Sequence, residues 1–337
     1  MTETNQQLRL AAFPKGVPQD NDFEVTIEAV PNLGDGDVLV RNHYASIDPS
    51  TRTSWVDTGS FHQAVKLGML VNAGTGGEVI ASNNPAFSVG DMVMGGPGLQ
   101  DYSVTDGKTL QKIDIDLAPL TSWMGGLGIT GLTAYFGLLD IGAPKPGETV
   151  VVTGAAGAVG MIVGQIARIK GARAVGIAGS DEKCKFLTDE LGFDGAVNYK
   201  DDLYRGLKET TPDRIDIVFD NIGGPMLDTI MRRLAMRSRV IISGATSQYN
   251  EPEIYGPKNY LSLASFRARM EGFIIFDYAD QYQKAREEMA GWAKEGKLIF
   301  KETLVDGTVG DFPAVMRQLY AGENIGKMLL RLPGAPR

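Results

Sequence analysis

The residues whose spacing most clearly suggests chemistry form a glycine- and alanine-rich stretch at 153–160. It follows an apolar, β-branched run, Thr149–Thr153, and opens a segment with helical spacing. A strand, a tight turn and a helix place backbone N–H groups and the positive end of the helix where a pyrophosphate can bind. Gly157 would allow close backbone approach and Gly160 close packing of the helix, although Ala155 replaces the first glycine of the GxGxxG pattern. The stretch therefore predicts a dinucleotide site, with a merely structural glycine turn as the alternative.

The residues after the second predicted strand distinguish between the two nicotinamide cofactors. An NAD enzyme usually places an acidic residue there, roughly 20 residues after the turn, to accept a hydrogen bond from the adenosine ribose. Here the strand leads into Gly179 and Ser180, and Lys183 offers a cation suited to a 2′-phosphate. Asp181 complicates the assignment, but it lies slightly late and is equally well explained as a charge in the first turn of a helix. NADP is therefore preferred over NAD, with a solvated helix lysine as the alternative for Lys183.

Composition narrows the class of protein. The 337 residues carry 33 lysines and arginines against 41 aspartates and glutamates, a formal net charge of −8 that argues against general nucleic-acid binding. The single cysteine allows no internal disulfide and favours a reducing compartment, and with two histidines it offers too few ligands for a structural zinc. No apolar run approaches the roughly 20 residues that span a bilayer, and the polar N-terminus lacks a signal core. We therefore expect a cytoplasmic protein of two domains that binds no metal, nucleic acid or membrane.

Two patterns of hydrophobicity follow each other along the chain. In the first part, short apolar runs alternate with Gly, Asn, Asp and Pro, which predicts a twisted, partly barrel-like antiparallel sheet. The apolar, glycine-containing stretch 118–139 is interpreted as a helical crossing between domains. Beyond it, six short hydrophobic runs, the last at 272–276, alternate with helical segments and predict a doubly wound parallel sheet. Strand-like runs at 304–307 and 327–331 flank one helix, and we expect this tail to return to the first domain.

The chain resembles the zinc-independent medium-chain dehydrogenase/reductases in five motifs: GAAGAVG at 154–160, GSDEK at 179–183, NYK at 198–200, FDNIGG at 219–224 and RMEGF at 269–273. Within that superfamily it is similar to the branch of prostaglandin reductases, plant alkenal double-bond reductases and bacterial curcumin reductases. The motifs run in order from SIDP at 46–49 to ENIGK at 323–327. The resemblance therefore covers nearly the whole chain.

The resemblance implies an α/β fold of two domains. A Rossmann doubly wound parallel sheet would occupy residues 126–302, and a split, β-rich, GroES-like and partly barrel-shaped catalytic domain would comprise residues 1–125 and 303–337. The resemblance also implies a homodimer, with NADPH as hydride donor to the carbon–carbon double bond of a small α,β-unsaturated ketone or aldehyde. The expected absence of zinc agrees with the histidine and cysteine count, because a catalytic zinc needs three protein ligands.

The resemblance also assigns cofactor residues by motif position. The pyrophosphate would be held by Gly157, Ala158, Val159 and Gly160, and the 2′-phosphate by Lys183 with Tyr199, beside Gly179 and Ser180. The rest of the cofactor would be lined by Asn221, Ser243, Gly244, Ala245, Tyr249, Phe273, Ile274, Ile275 and Asn324.

Two departures from the family pattern concern the substrate side. Homologues often read Asp-Pro-Tyr-Met-Arg where this chain reads DPSTR at 48–52, so we expect a different wall of the substrate pocket. The tyrosine that some relatives place eight residues before a motif glycine falls here on Ser265 or its neighbours. The group that stabilises the enolate is therefore open.

Conjugate reduction needs an acceptor carbon about 3 to 3.5 Å from the nicotinamide and a hydrogen-bond donor near the carbonyl oxygen. That donor is either a ribose hydroxyl of the cofactor or a tyrosine, for which the candidates are Tyr44, Tyr255 and Tyr260. Aromatic packing is the alternative for each of them. His43 and His62 are interpreted as structural, although His62 beside Phe61 is placed where it could border the pocket. Quinone reduction and a non-catalytic, NADPH-binding protein are the alternative functions.

Overall fold

The structure, a computed structural model, describes residues 4–55 and 65–336. Its internal contacts divide the chain into two compact units. Unit 1 combines Met1–Met124 with Glu302–Asn324 and Met328–Arg337, and unit 2 combines Gly125–Lys301 with Ile325–Lys327. The chain therefore passes repeatedly from one unit to the other.

Within the described ranges the strands are β1 (Thr4–Leu10), β2 (Phe23–Ala29), β3 (Val38–Ser46), β4 (Thr75–Ser82), β5 (Met92–Met94), β6 (Tyr102–Thr105), β7 (Gln111–Lys112), β8 (Thr149–Thr153), β9 (Arg173–Ala178), β10 (Gly195–Asn198), β11 (Ile215–Asp220), β12 (Leu234–Ile242), β13 (Arg269–Gly272), β14 (Glu302–Asp306) and β15 (Lys327–Arg331). The α-helices of the same ranges are α1 (Leu120–Met124), α2 (Ile129–Phe136), α3 (Ala158–Ile169), α4 (Asp181–Lys185), α5 (Leu203–Thr210), α6 (Gly224–Met231), α7 (Leu261–Phe266), α8 (Tyr282–Lys294) and α9 (Phe312–Ala321). None of these helices is long and apolar enough to cross a membrane.

Unit 2 is built on a six-stranded parallel sheet in the order β10-β9-β8-β11-β12-β13. The inner strands are buried on both faces, and Val150, Val151 and Val152 of β8 have no exposed surface. This double burial explains why the inner strands are continuous apolar runs in the sequence. The strand order reverses between β8 and β11, where doubly wound sheets open a ligand-binding crevice at the carboxyl ends of the strands. The predicted doubly wound sheet is confirmed.

Unit 1 contains a seven-stranded sheet in which β14, β15, β3, β4, β5 and β7 are neighbours in that order and β6 also pairs with β3. The last strand pairs antiparallel with β3, with Leu330 opposite Ala45, so the C-terminal tail packs with the N-terminal strands. Trp55 is fully buried in the core, and its ring lies 5.1 Å from that of Phe23 and 6.5 Å from that of Phe312 between centroids. Side chains from both ends of the chain therefore form one core.

Two sequence predictions are wrong in detail. The crossing at 118–139 is interrupted between α1 and α2, where glycines at 125, 126 and 128 lower the helix propensity. The sixth strand of the parallel sheet spans Arg269–Gly272 rather than 272–276. Because β13 lies at the edge of the sheet and is largely exposed, it lacks the apolar run that marks the inner strands.

Gly164, in the middle of α3, is where the helix approaches Phe193. A Cβ atom added at Gly164 would lie 1.9 Å from Cζ of Phe193, whereas one added at Gly291 in α8 meets no atom within 4 Å. We expect Gly164→Ala to lower the free energy of unfolding by about 2 kcal/mol because it overpacks this contact. Gly291→Ala should instead raise it by about 0.5 kcal/mol through helix propensity. Urea and thermal unfolding measure both changes, and a Gly164→Ala protein as stable as the wild type would contradict the packing.

Candidate functional site

β8 ends in the tight turn that the sequence predicts. Gly154 adopts a φ of 59°, and the Gly157 N–H donates to its carbonyl oxygen at 3.0 Å. Gly157 is the N-cap of α3, so the backbone N–H groups of Ala158, Val159 and Gly160 lie in the first turn of the helix. A Cβ atom at Gly160 would lie 2.5 Å from the Gly154 carbonyl oxygen. The close packing expected at Gly160 is therefore confirmed, and the turn has the form of an anion-binding cradle.

A segment from near the end of the chain borders the same turn. The Gly326 N–H donates to the Ala156 carbonyl oxygen at 2.7 Å, and Gly326 forms an isolated parallel bridge with Gly157. Gly326 is not among the cofactor residues that the sequence predicts. Gly326 lies in the ENIGK motif at 323–327, but the motif is more than 150 residues from the turn, and its sequence does not show that the two segments are in contact.

The predicted cofactor residues of unit 2 share one edge of the parallel sheet. They follow the carboxyl ends of its strands: Gly157, Ala158, Val159 and Gly160 after β8; Gly179, Ser180 and Lys183 after β9; Tyr199 after β10; Asn221 after β11; Ser243, Gly244, Ala245 and Tyr249 after β12; and Phe273, Ile274 and Ile275 after β13. Asn324 belongs to unit 1, where it is buried. The sheet thus brings nearly the whole predicted set to the edge where this architecture binds ligands.

Tyr199 lies over the backbone at Gly179. A Cβ atom added at Gly179 would lie 3.1 Å from Cε1 of Tyr199 and 3.3 Å from its hydroxyl oxygen. Ser180 is the N-cap of α4, and its hydroxyl accepts a hydrogen bond from the Lys183 N–H at 3.3 Å. The three residues predicted around a 2′-phosphate, Gly179, Lys183 and Tyr199, are therefore held by two adjacent strand ends.

A second cation, Lys200, lies beside this group. Burial and, next, the positive charge of Lys200 lower the pKa of Lys183. An anion bound between the two ammonium groups would relieve that repulsion. Lys200 is not among the cofactor residues that the sequence predicts, because no local pattern shows that the residue after the NY pair at 198–199 lies beside Lys183.

Asp220 connects the loops at the centre of the sheet. Its carboxylate, 1% exposed, accepts hydrogen bonds from the Thr153 hydroxyl at 2.8 Å, the Ile222 N–H at 3.2 Å and the Gly223 N–H at 3.1 Å. Its backbone carbonyl accepts from the Ser243 N–H at 2.9 Å. Burial raises the pKa of Asp220, and the hydrogen bonds to its carboxylate oppose the rise. One residue thus joins the ends of β8, β11 and β12.

Asn221 and Tyr249 are oriented by this network. The Asn221 side chain donates from Nδ2 to the Thr153 carbonyl oxygen at 2.8 Å, which leaves Oδ1 as an acceptor. The Tyr249 hydroxyl accepts from the Ala245 N–H at 3.2 Å. Burial raises the pKa of Tyr249, so its phenol stays protonated and can donate a hydrogen bond at neutral pH.

The three candidate catalytic tyrosines belong to both units, Tyr44 to unit 1 and Tyr255 and Tyr260 to unit 2. Tyr44 is a buried residue of β3 in unit 1, and its hydroxyl donates to the Pro336 carbonyl oxygen at 3.4 Å. Tyr255 donates its hydroxyl to Asp228 at 2.8 Å. Tyr260 is 58% exposed, and its hydroxyl has no hydrogen-bond partner within the described ranges. A catalytic role stays a prediction for all three.

His43 is a buried structural residue, because it is 3% exposed and its Nδ1 has no hydrogen-bond partner. Burial lowers the pKa of His43, so the imidazole is neutral at pH 7. His62 and Phe61, placed by the sequence at the pocket border, lie outside the described residues. Among residues 4–55 and 65–336, no group of three or more His, Cys, Asp or Glu side chains could hold a metal ion.

The segment that departs from the family pattern, DPSTR at 48–52, has a structural anchor. Arg52 is buried, and its guanidinium donates to the Pro14 carbonyl oxygen at 2.8 Å and the Gly16 carbonyl oxygen at 3.2 Å. The Tyr320 hydroxyl donates to the Pro49 carbonyl oxygen at 2.9 Å. These contacts fix the backbone of the segment within unit 1, and its place in a substrate pocket stays a prediction.

Known proteins match the chain along almost its full length. Residues 6–113 match a family described as the N-terminal domain of oxidoreductase, and residues 158–291 match one described as zinc-binding dehydrogenase. A putative NADP-dependent oxidoreductase of Bacillus subtilis is 45% identical over 98% of this chain and 99% of its own. The NADP-dependent 2-alkenal reductase of Nicotiana tabacum is 39% identical over 97% of each chain. The crystal structure of CurA from Vibrio vulnificus in complex with NADPH superposes with a TM-score of 0.91, at 37% identity over 97% of this chain and 99% of the other.

Removing the Asp220 carboxylate tests whether it holds the strand ends together. We expect Asp220→Ala to lower the free energy of unfolding by about 3 kcal/mol, because two buried donors and one half-buried donor lose their acceptor. Asp220→Asn should cost less, since it keeps one acceptor oxygen and the shape of the side chain. Asp213→Ala, at an exposed position of the same unit, is the control and should stay within about 0.5 kcal/mol. Chemical unfolding compares the variants, and equal stability of Asp220→Ala and Asp213→Ala would refute the role.

Proposed function

Because the chain belongs to the zinc-independent medium-chain dehydrogenase/reductases, we propose that it uses NADPH to reduce the carbon–carbon double bond of α,β-unsaturated aldehydes and ketones. The observation that carries the proposal is its similarity, over nearly the full length of both chains, to a 2-alkenal reductase. The strand-end site in unit 2 supports it independently, because its turn and its lysines suit a phosphorylated dinucleotide.

The residues at the strand ends fit NADPH. At the start of α3, the N–H groups of Ala158, Val159 and Gly160 would hold the pyrophosphate. Gly157, whose own N–H donates to Gly154, would allow the pyrophosphate to approach the backbone closely, because a Cβ atom added there would meet the Gly154 carbonyl oxygen alone within 4 Å. Lys183 and Tyr199, beside Gly179 and Ser180, would hold the 2′-phosphate. The remainder would contact Asn221, Ser243, Gly244, Ala245, Tyr249, Phe273, Ile274, Ile275 and Asn324. When bound, NADPH supplies the hydride that the β-carbon of the substrate accepts.

The division of labour between the units follows from this placement. Unit 2 would bind the cofactor, as residues 126–302 are expected to do from the sequence. Unit 1 would bind the substrate, because DPSTR at 48–52 replaces a family motif there and is rigidly anchored by Arg52. The proposed boundaries are therefore 1–125 and 303–337 for the catalytic domain.

Tyr260 is the tyrosine that we favour as the donor to the carbonyl oxygen of the substrate. Enolate charge develops on that oxygen as the β-carbon is reduced, and a preformed donor stabilises it. The hydroxyls of Tyr44 and Tyr255 already donate to Pro336 and Asp228. The alternative donor is a ribose hydroxyl of the cofactor, which requires no protein side chain.

A homodimer is supported by the edge strand β13. It pairs with β12 alone within the described ranges, so one row of its backbone N–H and C=O groups can pair with another strand. Apolar side chains are exposed before and after it, at Leu261 and Phe276.

We also propose the cytoplasm as the compartment, because Cys184 is the single cysteine and the chain can form no internal disulfide.

A substrate panel tests the activity. NADPH consumption should be observed with 2-alkenals and aryl enones, and the product should be the saturated carbonyl compound. Mass spectrometry of the product distinguishes reduction of the double bond from reduction of the carbonyl group. Consumption of quinones or saturated ketones without turnover of any enone would contradict the proposal. Cofactor binding without turnover of any of these compounds would favour the non-catalytic alternative.

Replacing single hydroxyl groups tests the donor. We expect Tyr260→Phe to lower kcat on the order of 100-fold, as for the loss of an oxyanion-hole donor, with little change in the KM for NADPH. Tyr255→Phe and Tyr44→Phe are the matched controls and should have much smaller effects on kcat. If all three variants keep the wild-type kcat, the donor is the ribose hydroxyl and Tyr260 has no catalytic role.

Light scattering after size exclusion tests the dimer. The wild-type protein should have the mass of two chains. Phe276→Asp should shift it toward the monomer, because it places a charge beside the β13 edge. Ile27→Asp, at a similarly exposed apolar position on β2, should leave the mass unchanged. A monomeric wild type would rule out the dimer, and a dimeric Phe276→Asp protein would rule out this surface.

A further inference from the structure

The acidic residue Asp181 lies close to the proposed site of the 2′-phosphate, where a negative charge would weaken NADPH binding. An acidic side chain after the second strand of a Rossmann sheet accepts hydrogen bonds from the adenosine ribose of NAD. The same charge would repel the 2′-phosphate of NADPH. Asp181 is the first residue of α4, next to Ser180 and two positions before Lys183. The chain therefore needs a way to keep this carboxylate from the phosphate.

Asn198 holds the Asp181 carboxylate. It is the last residue of β10, and its Nδ2 donates to Oδ1 of Asp181 at 2.9 Å. Because β10 and β9 are adjacent and parallel, with Asn198 opposite Ala178, the contact joins neighbouring strand ends. The same side chain accepts, through Oδ1, a hydrogen bond from the Lys200 N–H at 3.1 Å. Asn198 therefore fixes one acidic side chain and the backbone of one basic residue.

The held carboxylate faces a separate cavity. Asp181 and Asn198 line a cavity of about 450 Å³ together with Cys184 and Asp201, whereas Gly179, Lys183 and Tyr199 do not line it in the described structure. Burial, followed by the charges of Asp181 and Asp201, raises the pKa of the Cys184 thiol. The carboxylate of Asp181 thus acts on the Cys184 side of α4.

We propose that Asn198 is a positioning residue for cofactor selectivity. It keeps Asp181 on the Cys184 side and Lys200 beside Lys183, so that a 2′-phosphate meets two ammonium groups and the Tyr199 hydroxyl instead of a carboxylate. This inference rests on the cofactor site proposed above. It assigns functions to Asn198 and Lys200 in addition to those of Lys183 and Tyr199.

Calorimetric titration with NADP⁺ and NAD⁺ tests the inference without relying on turnover. Asn198→Ala should raise the Kd for NADP⁺ about fivefold, because Asp181 is then free to approach the phosphate. The Kd for NAD⁺ should not rise, because NAD⁺ has no 2′-phosphate for Asp181 to repel. In an Asp181→Asn protein, the added Asn198→Ala change should have a much smaller effect, since there is no longer a negative charge to hold. Asn83→Ala is the control. It also removes an asparagine amide that donates a hydrogen bond, here to the Gly34 carbonyl oxygen in unit 1, and it should leave both Kd values unchanged.

The double-mutant cycle decides between the outcomes. Equal loss of NADP⁺ and NAD⁺ affinity in Asn198→Ala would overturn the selectivity role. The same fold-change in the wild-type and Asp181→Asn backgrounds would overturn the role through Asp181. Thermal unfolding of each variant establishes that the titrated protein is folded.

Lys183→Ala separates this inference from the proposed site itself. It should raise the Kd for NADP⁺ about tenfold, because a charged hydrogen bond is lost, and should leave that for NAD⁺ nearly unchanged. If it weakens both cofactors equally, the proposed phosphate site is wrong, and the inference falls with it. If Lys183→Ala behaves as expected while Asn198→Ala changes neither Kd, the site stands and the inference alone is refuted.

Discussion

The buried carboxylate of Asp220 is the constraint on which the functional edge of unit 2 depends. Burying a charge is unfavourable unless hydrogen bonds compensate for the lost water, and Asp220 finds its donors in the turn that follows its own strand and in Thr153 on β8. Thr153 also accepts from the Asn221 N–H at 2.8 Å. The two strands between which the sheet order reverses therefore end in one rigid network. The loops that follow β8, β11 and β12 are therefore positioned by this network.

Local charge placement matters more to this protein than its net charge. A chain with a formal charge of −8 has to bind an anionic cofactor, so attraction has to come from particular cations and not from the overall field. Lys183 and Lys200 are brought together because β9 and β10 are adjacent, although the residues lie on separate segments of the chain. The carboxylate of Asp181, next to this site along the chain, is bound by the side chain of Asn198.

The features that the sequence predicts well are those with a local physical cause. The GAAGAVG turn at 154–160 and the apolar inner strands follow from backbone sterics and double burial, so both can be read from neighbouring residues. The edge strand Arg269–Gly272 escapes prediction because exposure removes its hydrophobic signal. The contacts of Tyr255 with Asp228 and of Asn198 with Asp181 depend on chain segments that only the fold brings together. No local sequence pattern predicts these contacts, although they determine which side chains are already engaged in hydrogen bonds.

The return of residues 325–327 to unit 2 has a consequence for biosynthesis. The Gly326 N–H binds the Ala156 carbonyl oxygen beside the phosphate-binding turn, and the Lys327 N–H binds the Lys301 carbonyl oxygen at 2.9 Å. In unit 1, β3 pairs with β15, which also comes from the C-terminal part of the chain. As the chain leaves the ribosome, neither unit has all its segments until residues near the C-terminus have emerged. Both units can therefore complete their folds only after residues 325–331 have been synthesised, and until then the phosphate-binding turn and one edge of β3 lack these partners.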